Sequence, residues 1–147
     1  MKITLCGSIA FIDEMVAAQQ ELKSLGHEVQ LPPLAVMDGN GQLIPVKEYY
    51  ALRKAAPDDH EWVWQRKAEA MRNHFAKVAW ADAILVCNHD KNGIAAYVGA
   101  NTLLEMGLAF HLGKHIYLLG PIPEVSYKEE ILGMQPIVIN GDLKCIR

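Results

Sequence analysis

No stretch of this sequence approaches the roughly 20 consecutive apolar residues that a bilayer span requires, and the opening run Met1-Lys2-Ile3-Thr4-Leu5-Cys6 is interrupted at once by Gly7-Ser8. Neither a membrane helix nor a secretory leader is expected, and the cytoplasm is the expected compartment. Positive charge is not concentrated anywhere. Lys and Arg number 14 against 17 Asp and Glu, for a formal charge of −3, and no polybasic run exists to draw in a nucleic acid or an anionic membrane. Cysteine is scarce. Cys6, Cys87 and Cys145 are odd in number and lack the spacing of metal pairs; two of them end apolar runs, so all three read as reduced structural thiols. The phosphate-cradling patterns G-x-x-x-x-G-K-[ST] and G-x-G-x-x-G are missing, as is any repeat, and no motif implies a cofactor.

What is present is an ordinary globular composition, 51% hydrophobic and 21% charged, over 147 residues. That length fits a single domain spanning residues 1–147. Its elements alternate. Lys2 to Cys6 reads as a strand, Phe11 to Leu25 as a helix stopped by Gly26, and His27 to Leu31 as a second strand halted by Pro32-Pro33. Leu34 to His60 is the least regular stretch, with turn chemistry at Asp38-Gly39-Asn40-Gly41 and a short helix over Val46 to Ala56; it is expected to be a mobile excursion over the site.

Further on, Trp64, Ala68, Met71, Phe75 and Val78 recur at steps of four and three residues, which predicts a long amphipathic helix with that stripe on the sheet. The continuous apolar run Ala83 to Cys87 predicts a central strand covered on both faces. A polar loop follows from Asn88 to Gly99, then a helix from Asn101 to Leu112, a strand from His115 to Leu119, a short helix within Pro121 to Met134, and a last strand from Pro136 to Ile139. The expected fold is α/β: a doubly wound, mostly parallel sheet of about five strands with helices on both faces, Rossmann-like or flavodoxin-like.

In such sheets ligands collect beyond the carboxyl ends of the strands, so Gly7, Ser8, Asn88, Asn101 and Glu105 are expected to face one cleft. Gly7-Ser8 permits close backbone approach and offers a hydroxyl and amides, although the same pair also suits a plain tight turn. Glu105, within Leu103-Leu104-Glu105-Met106-Gly107-Leu108, is a carboxylate amid apolar residues, which is costly unless it is paired or held in a cleft. Its place in the early turns of a helix lets the dipole favour the ionised form, as a nucleophile requires; the alternative is a helix-start glutamate facing water or a lysine. His74 lies beside the apolar stripe, either as a general acid or as a rim residue. His111 and His115 have metal-like spacing, but Gly113 intervenes, and Asn88, Asp90 and Asn92 lack the rest of a cation-loop pattern, so no metal is expected.

The segments Ile3-Thr4-Leu5-Cys6-Gly7-Ser8-Ile9, Ala81-Asp82-Ala83-Ile84-Leu85-Val86, Gly99-Ala100-Asn101-Thr102-Leu103-Leu104-Glu105-Met106-Gly107-Leu108-Ala109 and Gly113 to Leu119 together resemble the nucleoside 2-deoxyribosyltransferase-like superfamily, which also contains deoxynucleotide N-hydrolases. The resemblance runs through nearly the whole chain in order, and the glutamate-containing segment is its most specific part. It implies a doubly wound parallel sheet, a homo-oligomer with sites near subunit interfaces, and Glu105 as the nucleophile that attacks the anomeric carbon of a deoxyribosyl group. Exposed aromatic content at Trp62, Trp64 and Tyr49-Tyr50 points to a homo-oligomer as well.

Three positions depart from the pattern. An acidic residue common eight positions before Asp82 is His74, which either replaces the acid as proton donor or marks lost activity. The aspartate or serine common six positions before the nucleophile is Gly99, which leaves Asn101 or Tyr97 to contact the sugar. The arginine that follows Gly-Ser-Ile in the nucleotide hydrolases is Ala10, which favours a nucleoside over a nucleotide. The resemblance therefore implies cleavage or transfer at an N-glycosidic bond of a small-molecule nucleoside or nucleotide. The alternative is a non-catalytic nucleoside- or nucleotide-binding sensor module.

Overall fold

Along β1 (Lys2–Cys6), Ile3 and Leu5 point to one side and Thr4 and Cys6 to the other, and all four are fully buried, as a strand covered on both faces demands. The computed structural model describes residues 1–147. After β1 a 3-10 turn (Ile9–Phe11), capped by the Ser8 hydroxyl, leads into α1 (Ile12–Ser24). That helix ends in a Schellman arrangement. His27 N–H bonds the Leu22 carbonyl at 3.1 Å and Gly26 N–H the Lys23 carbonyl at 3.0 Å, with Gly26 at φ 91°. β2 (Glu28–Gln30) then pairs in parallel with β1.

The segment expected to be irregular is ordered. Ala35–Met37 (β3) and Leu43–Pro45 (β4) form an antiparallel hairpin, and the Asp38 side chain accepts from the backbone N–H groups of Asn40 and Gln42 to shape its turn. Two three-residue strands, one ending in proline, carry too little alternation to be read from sequence. α2 (Val46–Ala55) follows, then α3 (Glu61–Trp80). The stripe predicted on α3 is rotated: its buried residues are Val63, His74 and Val78, whereas Trp64, Met71 and Phe75 are only half-buried. The remainder alternates as expected, with β5 (Ala83–Val86), α4 (Ala100–His111), β6 (His115–Leu118), α5 (Lys128–Gly133), β7 (Ile137–Val138) and a final 3-10 turn (Leu143–Cys145).

The five long-range strands pair in parallel in the order β2-β1-β5-β6-β7. From β1 the chain steps outward to β2 and then returns to the other side of β1 for β5, so the winding reverses between β1 and β5. That crevice is the topological switch point at which doubly wound sheets bind ligands. Strand alternation divides the core. Ile3, Leu5, Ala83 and Leu85 pack on the α1 side with Phe11, Met15 and Leu22, while Ile84, Val86, Ile116 and Leu118 pack on the other side with Val78 and Met106. Each fully buried Leu or Ile contributes about 1.5–3 kcal/mol. No helix is long and apolar enough to cross a membrane.

Candidate active site

A cavity of about 600 Å³ opens at the switch point. Its floor is the Gly7-Ser8 turn after β1, one wall is α3, another is the start of α4, and α2 with the β3–β4 hairpin covers it. The excursion thus lies over the site as expected, although as a hairpin and a helix. Gly7 is required by proximity: a Cβ there would stand 3.1 Å from the Cys87 carbonyl oxygen on the neighbouring strand.

Glu105 projects from α4 into this wall and is only 3% exposed. One carboxylate oxygen accepts from the Asn101 amide at 2.9 Å, an i, i+4 pair on the same helix face; the other has no hydrogen-bond partner. Burial pushes the carboxyl up to about 7, opposed first by the adjacent Cys6 thiol, then by the Lys67 charge and the Asn101 hydrogen bond. The dipole expected to favour the ionised form is outweighed, because Glu105 sits beyond the first turn, where that influence fades. Lys67, on α3, donates to the Asn101 side-chain oxygen Oδ1 at 3.1 Å and is itself lowered to about 8 by burial and by the Arg53 charge.

His74 is not a rim residue. It is 5% exposed, with Nε2 3.5 Å from Cys6 Sγ and 3.9 Å from the free Glu105 oxygen, and its Nδ1 has no partner. Burial and the Lys77 charge lower it to about 4, so it is a neutral imidazole at neutral pH. Rotation of the α3 face carried it inward. Burial and the Glu105 charge raise the Cys6 thiol well above its ordinary value, which keeps it protonated. Cys6, His74 and Glu105 offer donor atoms within 4.8 Å of one another, a set compact enough to hold a zinc-like ion. Sequence spacing gave no hint of this trio, since its members lie on β1, α3 and α4.

Gly7, Ser8, Tyr97, Gly99, Asn101, His74 and Glu105 all line the cavity. Asn88 does not. Its amide donates to the Ala96 and Pro121 carbonyls at 3.2 and 2.9 Å and its oxygen accepts from Gly120 N–H at 2.7 Å, so the side chain braces two loops outside the cavity lining. At Gly99, a Cβ would meet the Tyr97 ring and hydroxyl at 3.1 Å; the tyrosine fills the space that a side chain on residue 99 would need. Lys91, which sequence reasoning passed over, donates to Ser8 Oγ at 2.8 Å and to the Tyr50 hydroxyl at 2.6 Å. The Asn92-Gly93 pair beside it is a hairpin-turn signal that marked its position.

No protein-family model and no curated protein matches this sequence. Solved structures do. A 2-deoxyribosyltransferase from the psychrotolerant bacterium Bacillus psychrosaccharolyticus is similar at 21% identity over 80% of this chain and 71% of its own, with a TM-score of 0.50. A CMP N-glycosidase from Clostridium botulinum is similar at 14% identity over 95% and 90%, with a TM-score of 0.51. The chain has the nucleoside 2-deoxyribosyltransferase-like fold. A conserved protein from Enterococcus faecalis V583 shares this fold as well, at 17% identity over 90% and 72% of the two chains and a TM-score of 0.50. Within the deoxyribosyltransferase-like fold of this chain, the cavity lies between the carboxyl ends of β1 and β5, and the buried carboxylate of α4 forms part of its wall.

Proposed function

We propose that this protein cleaves or transfers the N-glycosidic bond of a nucleoside or nucleotide, with Glu105 as the nucleophile. The observation that carries the reading is Glu105 itself: a carboxylate buried in the cavity wall, with one oxygen held by Asn101 and the other unpartnered. A protein retains such a group at a cost in stability, and a substrate that uses the free oxygen supplies the reason. The ionised carboxylate attacks the anomeric carbon, the carbon–nitrogen bond breaks, and the base departs with the bonding pair and takes up a proton from solvent water in the cavity. Water or an acceptor base then displaces Glu105 from the sugar.

His74, neutral and 3.9 Å from the attacking oxygen, is the proposed acid/base partner: it takes the proton of the incoming water in the second step and shares it with Glu105. Ser8, Tyr97 and Asn101 are the proposed sugar contacts, while Gly7 and Gly99 leave the wall open. The names of two structural neighbours, a deoxyribosyltransferase and a CMP N-glycosidase, support this reaction class. Self-association belongs to the same reading, but on different residues from those expected. Tyr49 is buried, and Trp62 and Trp64 are half-buried, with Trp62 packed near Tyr49 and His60 and Trp64 Nε1 donating to the Pro57 carbonyl. Leu104 of α4 and Leu112 at its C-cap, 52% and 43% exposed, with half-buried Leu108 between them, offer an apolar stripe beside the site.

The test is incubation with a panel of nucleosides and nucleotides, following free base by chromatography with and without an acceptor base. Base release that requires Glu105 is expected. Binding of intact ligand without release would leave a sensor module in its place.

A further inference from the structure

A thiol, an imidazole and a carboxylate from three elements meet in the cavity wall. Cys6 closes β1, His74 lies on the buried face of α3 and Glu105 beyond the first turn of α4, and each offers a donor atom within 4.8 Å of the others. Cys6 Sγ stands 3.5 Å from His74 Nε2, and that nitrogen stands 3.9 Å from Glu105 Oε2. Hydrogen bonds do not satisfy the trio. At 3.9 Å the imidazole is out of hydrogen-bond reach of Oε2, which has no partner although the residue is buried. A tetrahedral zinc ion, bound at about 2.3 Å to sulfur and about 2.0–2.2 Å to nitrogen and oxygen, sets sulfur and nitrogen about 3.6 Å apart and nitrogen and oxygen about 3.4 Å apart. The first spacing is already present, and the second needs the imidazole and carboxylate to close by only about 0.5 Å.

Ligand chemistry selects the metal. Mg²⁺ and Ca²⁺ take oxygen ligands, whereas a thiolate with an imidazole suits zinc, and three protein ligands leave a fourth position for water. His74 and Glu105 line the cavity, which gives the ion its way in. The groups behind the ligands hold them in place. The Asn101 amide donates to the other carboxylate oxygen at 2.9 Å, Lys67 donates to Asn101 at 3.1 Å, and Cys87 N–H donates to the Cys6 carbonyl at 2.8 Å. We propose that Cys6, His74 and Glu105 form a site for a zinc-like divalent cation, and that the bound ion blocks Glu105 as a nucleophile. No electron moves: the Cys6 thiol gives its proton to solvent as sulfur binds the metal, and Oε2 occupies a coordination position in place of attacking a sugar. The blocking role rests on the N-glycosidic reading, and the metal site does not. The expectation of no metal came from spacing along the chain, in which Cys6 and His74 are 68 positions apart.

Titration of the metal-free intact chain with Zn²⁺, in competition with a chromogenic zinc chelator, tests the site, with Mg²⁺ as the contrast. One zinc per chain and no response to Mg²⁺ are expected. Co²⁺ in place of Zn²⁺ should give a thiolate-to-cobalt charge-transfer band that Cys6→Ser abolishes. No band in the wild type overturns the site without recourse to any variant. Asn101→Ala should weaken zinc binding about 10–100-fold by freeing the carboxylate, and Glu105→Gln by at least as much. Cys145→Ser, at the exposed thiol, should change nothing; loss of the zinc there moves the metal to Cys145 and Asp142 and overturns the site. Zinc should also stop base release, and a chelator should restore it. Release that continues from the zinc-loaded protein overturns the blocking role. Absence of release from the metal-free protein sinks the glycosidic reading and the blocking role with it, while the cobalt band still decides the site.

Discussion

At Glu105 two influences oppose each other. Burial favours the protonated acid, while the Cys6 thiol, Lys67 and the Asn101 amide favour the anion, and burial wins by enough to bring the carboxyl to about 7. Only the anion can attack a sugar, so turnover should rise as pH increases through that value; a kcat/KM profile flat across neutral pH would remove Glu105 from the nucleophile's role. The same shift has a sign for stability. A carboxyl raised from 4.5 to about 7 weakens folding by nothing below 4.5 and by up to about 3 kcal/mol above 7, at 1.36 kcal/mol per pKa unit. Glu105→Gln, which is nearly isosteric, should therefore raise the melting temperature above pH 7 and leave it unchanged near pH 4.5. It should also slow base release by a factor of about a hundred or more, because the amide cannot form the glycosyl ester. Wild-type turnover in Glu105→Gln would end the proposal.

At the scale of elements, the turn that carries Lys91 is a two-residue hairpin. Lys91 and Ile94 exchange backbone bonds at 3.0 and 2.9 Å around Asn92 and Gly93, both at positive φ, 52° and 76°. This is the geometry that an Asn-Gly pair favours, and a β-branched residue opposes it. Gly93→Val should strain the turn by about 1–3 kcal/mol and swing the Lys91 ammonium away from Ser8. Affinity for a nucleoside or nucleotide that the protein binds should fall several-fold, because Lys91 lines the cavity and holds Ser8. An unchanged affinity in a titration would mean that the turn supports the fold in general and does not position Lys91 for the ligand.

For the whole molecule, the winding reversal between β1 and β5 places the cavity, and the α4 stripe of Leu104, Leu108 and Leu112 lies beside it. Leu104 both lines the cavity and is 52% exposed, so a second copy seated on α4 would close part of the site. Light scattering at micromolar concentration should report a dimer or larger species, and Leu104→Glu with Leu112→Glu should shift it toward a monomer. A monomeric wild type across that range would discard self-association.

Local pattern made much of the scaffold legible. The apolar run of β5, the Schellman stop at Gly26 and the β-α alternation follow from periodicity and turn chemistry that neighbouring residues set among themselves. Glu105 was legible because a carboxylate inside an apolar helix is anomalous wherever that helix packs. The short β3–β4 hairpin was not, because strands of three residues lack a period. Nor could the sequence alone decide the surroundings of the glutamate. Whether His74 meets water or Cys6 depends on how α3 is rotated against β1, and whether Asn88 faces a ligand or braces two loops depends on where β6 leaves Gly120 and Pro121. The gathering of Arg53, Lys54 and Lys91 around Tyr50 joins residues up to 41 positions apart. Such contacts were decided by the tertiary structure alone, because they arise where the order of strands brings distant loops to the same edge of the sheet.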